Sequence, residues 1–136
     1  MNNPGASPVS ASSTSMLAKI GAVAYVLWGL WHIRVVVGMF DSAAAMENPA
    51  LQARISQGAF HILFFVIFAI VVASWTAQNN RIAYWAQLVT IGWTEVGLFV
   101  FFIWPGLFPV FPSLAWTGPT LWIVAVVTTT LARIRP

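Results

Sequence analysis

At 136 residues, 60% hydrophobic and 7% charged, with a mean hydropathy of +0.84, the chain lies far from the soluble average of about 25% charged residues and has room for one membrane domain. Six basic residues against three acids give a net charge of +3. The basic residues stand singly at the ends of apolar runs with no interleaved aromatic patch, which excludes a nucleic-acid surface and makes the charge a topology signal. With no cysteine, disulfides, thiolate metal sites, iron–sulfur clusters and cysteine nucleophiles are excluded as well.

Residues 1–15, MNNPGASPVSASSTS, are small and polar and carry too little apolar surface to offset ordering entropy. They read as a disordered tail ahead of a membrane domain over 16–136. The first apolar run, about 17–40, is long enough at about 1.5 Å per residue to span a bilayer. Lys19 near its start and Ser42-Ala43-Ala44-Ala45 after it imitate a signal peptide. The run nevertheless exceeds an h-region of roughly 7–15 residues, and it contains His32 and Arg34.

The polar connection from Asp41 to Arg54 contains Asn48-Pro49, a capping side chain followed by proline at the first helical position. The second span is expected over about 55–76. AQNNR, residues 77–81, is a short turn, and helices joined so closely are antiparallel neighbours. The third span, about 82–104, stops at Pro105-Gly106. LFPVFPSLAWTG, residues 107–118, combines two prolines with five large apolar side chains and no charge, so it is placed at the bilayer interface or folded back over the bundle. Thr117-Gly118-Pro119 restarts a helix for a fourth span over about 117–132.

The fold expected is therefore an all-α integral membrane protein, an antiparallel bundle of four transmembrane helices. Four spans put Lys19, Arg81, Arg133 and Arg135 on one side and Asp41, Glu47 and Arg54 on the other. The positive-inside rule then predicts both termini in the cytoplasm and the protein in a cell membrane. Among the eight tryptophans, Trp75, Trp85, Trp104 and Trp116 fall near span boundaries as an aromatic belt does. Trp28, Trp31, Trp93 and Trp122 lie deeper and need another reason.

The costliest residue is Glu95, a carboxyl inside the third span, where an acid faces a bundle interior or a cavity and finds a partner. Counted inward from the outer boundary, His32, Arg34, His61 and Glu95 reach a common level roughly 9–14 Å deep. At 100° per residue, Tyr25, Trp28 and His32 share a stripe on the first helix, Gln57, His61 and Phe65 one on the second, and Gln87, Thr90, Thr94 and Glu95 one on the third. Arg34 points about 200° from His32, toward another helix, toward the headgroups by snorkelling, or into an ion pair with Glu95. A lone intramembrane histidine is often an interhelical hydrogen-bonding group worth about 1 kcal/mol, and an aromatic stripe is more often packing than a ligand box.

Three functions fit these residues. The first is a pocket for a lipophilic small molecule, lined by Tyr25, Trp28, Arg34, Gln57, Phe65 and Thr94, in which Glu95, His61 and His32 perform acid–base chemistry such as double-bond isomerisation or hydration. The second is a cofactor site, with His32 and His61 as axial ligands of haem b or joining Glu95 around a divalent metal. The third is an accessory subunit whose polar groups lock its helices or meet a partner, in a homo-oligomer or a membrane complex. In size and span count the architecture resembles small four-helix membrane families such as sterol-isomerase-like and DoxX-like proteins, an analogy of architecture alone; none of their motifs is present. Small multidrug-type exporters have the same size, but carry their acid in the first helix rather than the third.

Overall fold

The computed structural model describes residues 8–134, with side chains from residue 16 onward. Helices α1 (Pro8–Ala44), α2 (Pro49–Ala77), α3 (Arg81–Leu98) and α4 (Thr117–Ile134) form a four-helix bundle. Four stretches, Met16–Ala44, Pro49–Ala77, Arg81–Ile103 and Leu114–Ile134, are each long and apolar enough to cross a membrane. The chain is a small four-span membrane protein. Of the polar segment ahead of the first span, residues 1–7 lie outside the described residues, and the α1 backbone already includes 8–15. Extending a helix costs little once its nucleus exists.

Side chains set the helix boundaries. Asn48 Oδ1 accepts from the amides of Ala50 at 2.9 Å and Leu51 at 3.2 Å, with Pro49 opening α2, as the Asn-Pro pair predicts. Asn80 caps α3 in the same way, accepting from Ile82 at 2.8 Å and Ala83 at 3.1 Å. Between them Asn79 turns the chain with φ of 55°, a left-handed conformation in which asparagine is enriched. α3 continues into a π-helical turn over Phe99–Ile103, where the Trp104 amide donates to Phe99 O at 2.8 Å. The chain then breaks at Pro105-Gly106, Gly106 taking φ of +74°. A 3-10 turn, Leu114–Trp116, leads into α4.

Contacts run in opposite directions along neighbouring helices. Gly21 meets Thr129 while Gly118 meets His32, so α1 and α4 are antiparallel. Gly29 meets Ile70 while Gly58 meets Met39, so α1 and α2 are antiparallel too. The α1–α2 connection and the proline-rich loop therefore share one end of the bundle, called the loop end below. The α2–α3 turn and the end of α4 share the other, called the turn end.

In lipid the association of helices rests on packing and hydrogen bonds rather than on apolar transfer, and small residues permit the closest approach. α1 uses them on both flanks. A Cβ on Gly21 would collide with Thr129 Cγ2 and stand 3.2 Å from Ala125 O, and one on Gly29 would stand 2.9 Å from Ile70 Cγ1 and 3.2 Å from Val66 O. The buried face of α2 is Ala59, Val66, Ala69, Ala73 and Thr76. α1 accordingly packs most extensively on α2 and α4, while α3 completes the ring with thinner contacts. Longer side chains fill the space between α1 and α3. Tyr25 and Trp28 form the centre of the core with Ala24, Ala69, Ile91 and Ala125, and Phe65, Phe68, Leu121 and Trp122 pack around it.

The turn end is fastened by a polar clasp. Arg133 Nη1 donates to Asn79 O at 2.8 Å, Asn79 Nδ2 donates to Ala132 O at 3.1 Å, and the Arg133 guanidinium lies 5.8 Å from the centroid of the Tyr84 ring. The Tyr84 hydroxyl in turn stands 3.0 Å from Thr130 Oγ1. These contacts tie the α2–α3 turn and the start of α3 to the end of α4.

Candidate functional site

The intramembrane acid has a partner. Trp28 Nε1 on α1 donates to Glu95 Oε1 on α3 at 2.7 Å, with Trp28 fully buried and Glu95 only 7% exposed. This neutral donor gives Trp28 the reason its depth required: an indole N–H buried in a membrane interior needs an acceptor. No hydrogen bond from the described residues reaches the second Glu95 oxygen.

The Trp28 ring stacks on His32, with centroids 3.9 Å apart and planes inclined by 28°. His32 is 9% exposed, and its Nδ1 lies 2.8 Å from Trp28 O of the preceding turn. Because a carbonyl only accepts, Nδ1 is the donor in this contact, and Nε2 is directed toward α4. There it meets the start of α4 at Gly118, where a Cβ would lie 2.8 Å from His32 Cε1 and 3.3 Å from Nε2. The α1 stripe, Tyr25, Trp28 and His32, therefore faces the interior as helical spacing predicts. Tyr25 is fully enclosed beside Ala24 and Ala125.

Of the other residues assigned to the pocket from sequence, Phe65 joins the packing around Trp28. Thr94 is partly buried and closes back on its own helix, donating to Thr90 O at 3.4 Å. Arg34 is exposed, and its guanidinium lies 5.7 Å from the centroid of the Trp31 ring rather than beside Glu95. Gln57 and His61 are exposed on α2, whose interior face belongs to its small residues. The four ionisable groups expected at one level thus separate into an interior pair, Glu95 and His32, and an outer pair, Arg34 and His61.

That separation bears on the metal alternative. Among the described residues no three His, Cys, Asp or Glu side chains form a group that could hold a metal ion, so His32, His61 and Glu95 do not make a two-His, one-carboxylate centre. His32 is enclosed between Trp28 and Gly118, whereas His61 is exposed.

Two residues of the site have no signal in the spacing of ionisable groups. Gly118 matters through what it lacks, and its place in a Thr-Gly-Pro helix start conceals that role. Trp122, one turn further along α4, packs its ring beside Gly92, where a Cβ would lie 3.7 Å from Trp122 Cζ2. Its Nε1 is buried with no acceptor among the described residues. Deeper in the bundle, Gln87 donates from Nε2 to Ala69 O at 2.9 Å, and its Oε1 is buried without a donor among the described residues. The proline-rich loop packs on itself: Trp116 Nε1 donates to Pro109 O at 2.9 Å, with Phe108 and Phe111 edge-on to the Trp116 ring. Leu107, Val110, Phe111 and Leu114 remain exposed.

Compared with known proteins, the chain matches no family model, no curated protein and no solved structure.

Proposed function

We propose that the loop-end half of the bundle binds a lipophilic small molecule with a polar head, which Glu95 and His32 contact and on which they act as an acid–base pair in a reaction such as double-bond isomerisation or hydration. The carrying observation is the bond from Trp28 to Glu95, which occupies one carboxyl oxygen only. It holds the carboxyl against Trp28, on whose ring His32 stacks with its Nε2 toward α4. Polar groups at such depth ordinarily serve a ligand, a proton path or a partner. Tyr25, Trp28, Phe65 and Trp122 supply an aromatic lining.

The test is extraction and mass spectrometry of small molecules that copurify with the protein. A terpenoid or other neutral lipid bound at stoichiometric level by wild type, absent from Glu95→Leu and retained in His61→Ala, supports the reading. Identical lipid content in wild type and Glu95→Leu refutes it.

A second reading, an accessory subunit that meets another membrane protein, is favoured by Trp93. It sits on α3 two residues from Glu95, yet it is 75% exposed, with no contact inside the bundle to explain its depth. A photo-crosslinking residue in place of Trp93 that captured a protein in native membranes would favour this reading; capture of lipid alone would count against it.

The orientation proposed for either reading places both termini in the cytoplasm. Lys19, Arg81 and Arg133 belong to the turn end, and Asp41, Glu47 and Arg54 to the loop end, three basic residues against one, which is the bias of the positive-inside rule. Because the chain has no native cysteine, single cysteines at Asn79 and Ala45 and an impermeant thiol reagent on intact cells test it. Labelling of Ala45→Cys alone is expected; labelling of Asn79→Cys alone reverses the orientation.

A further inference from the structure

Two hydrogen-bonding positions are open along one buried stretch of α3. The indole Nε1 of Trp122, on α4, is buried with no acceptor among the described residues. An indole N–H only donates, and lipid offers it no acceptor, so the chain carries the cost of a buried donor left unmade. The Trp122 ring lies against Gly92, where a Cβ would stand 3.7 Å from Cζ2, a ring atom that shares Cε2 with Nε1. Gly92 and Glu95 are both buried and lie one turn apart on the same face of α3. From α1, Trp28 donates to one oxygen of Glu95, and no hydrogen bond from the described residues reaches the other.

The same stretch borders the weakest seam of the bundle. α3 and α4 make the thinnest contact of any adjacent pair in the ring, and the longest connection in the bundle, from Phe99 to Trp116, joins them. Both belong to membrane spans, so parting them opens the seam to hydrocarbon. A group that arrives there has to accept from Trp122 and engage the open oxygen of Glu95. An ether or a carbonyl only accepts, and an ammonium only donates. A hydroxyl does both at once.

We propose that the ligand of this site is a lipid alcohol that enters between α3 and α4, its hydroxyl oxygen accepting from Trp122 Nε1 and its hydrogen bonding the open oxygen of Glu95. The assignment rests on the reading of Glu95 given above and adds Trp122 as the residue that selects for an oxygen in the ligand head.

The experiment is native mass spectrometry of the detergent-solubilised protein titrated with three probes on one skeleton, farnesol, farnesyl methyl ether and farnesene. Each step down the series removes one hydrogen bond. Wild type is expected to bind the alcohol about fivefold more tightly than the ether, and the ether about fivefold more tightly than the hydrocarbon, the scale of one net hydrogen bond. Trp122→Phe, which keeps an aromatic ring but removes the N–H, is expected to erase the step between ether and hydrocarbon. Glu95→Leu is expected to erase the step between alcohol and ether. Ratios within one variant cancel any general loss of stability. An ether step that is absent from wild type or survives Trp122→Phe overturns the role of Trp122 and leaves the reading of Glu95 standing. An alcohol step that survives Glu95→Leu refutes the reading of Glu95 itself. Failure of wild type to bind farnesol saturably, or better than its ether, overturns the assignment to an alcohol.

Discussion

Trp28 and Glu95, 67 positions apart in the chain, meet through a 2.7 Å hydrogen bond that joins α1 to α3 across the bundle. These helices lie on a diagonal of the ring and share few or no close backbone contacts. The bond therefore acts where close packing is missing, and it fixes the carboxyl that the proposed chemistry uses.

Removing the donor should cost more than changing the acceptor. Trp28→Phe deletes the indole N–H, leaves Glu95 unpaired in the interior and opens a void, with an expected loss of about 2–4 kcal/mol. Glu95→Gln keeps an oxygen for the indole and should lose under about 1 kcal/mol. Unfolding of the purified variants in mixed detergent micelles measures both. Equal losses would mean that the bond is incidental to stability.

Gly118 should tolerate no side chain while His32 is present. Gly118→Ala places a methyl against the His32 ring, and overpacking of this kind costs about 1–3 kcal/mol. His32→Ala in the same chain should recover most of that loss, which a double-mutant cycle would register as a coupling. Strict additivity would place the strain elsewhere.

The seam between α1 and α4 gives a contrast among glycines. Gly21→Ala meets Thr129 and Ala125, whereas a Cβ on Gly38 or Gly97 meets nothing within 4 Å. Gly21→Ala should lower the melting temperature, while Gly38→Ala and Gly97→Ala should leave it unchanged or raise it slightly through helix propensity. Thr129→Ser removes the methyl in the way while keeping a hydroxyl for the Ala125 carbonyl, 2.7 Å from it in the native chain, and should partly rescue Gly21→Ala.

At the turn end, Asn79→Gly retains the left-handed backbone but loses the donor to Ala132, and Asn79→Ala loses both advantages. The expected order of stability is wild type, then glycine, then alanine, with steps of about 1 kcal/mol each. Thermal unfolding of the three proteins checks the order, and alanine at or above glycine contradicts it.

The helix boundaries were legible because their signals are local: Asn48-Pro49, Asn80, Pro105-Gly106 and Thr117-Gly118-Pro119 act on the residues beside them. The stripe of Tyr25, Trp28 and His32 was legible for the same reason. On α2 the rule failed, because a helix that is apolar on every side has no polar face to compare. Its interior is marked by small residues, Ala59, Ala69 and Ala73, so the Gln57 and His61 stripe points outward. The partner of Glu95 was missed by counting only ionisable groups, when a neutral indole supplies the donor. The clasp of Arg133 on Asn79 joins residues 54 positions apart, and no local pattern encodes it.

The extensive contacts of α1 with α2 and α4 have a consequence for biogenesis. Helices enter the bilayer in the order of translation. The first hairpin is complete early, yet the other flank of α1, lined by Gly21, waits for a segment made about a hundred residues later. In that interval α3 has α2 to pack against, and Trp28 is the hydrogen-bond partner of Glu95 among the described residues. The bond between those two side chains is available before the last helix arrives, which makes it a means of holding α3 in place until the ring can close.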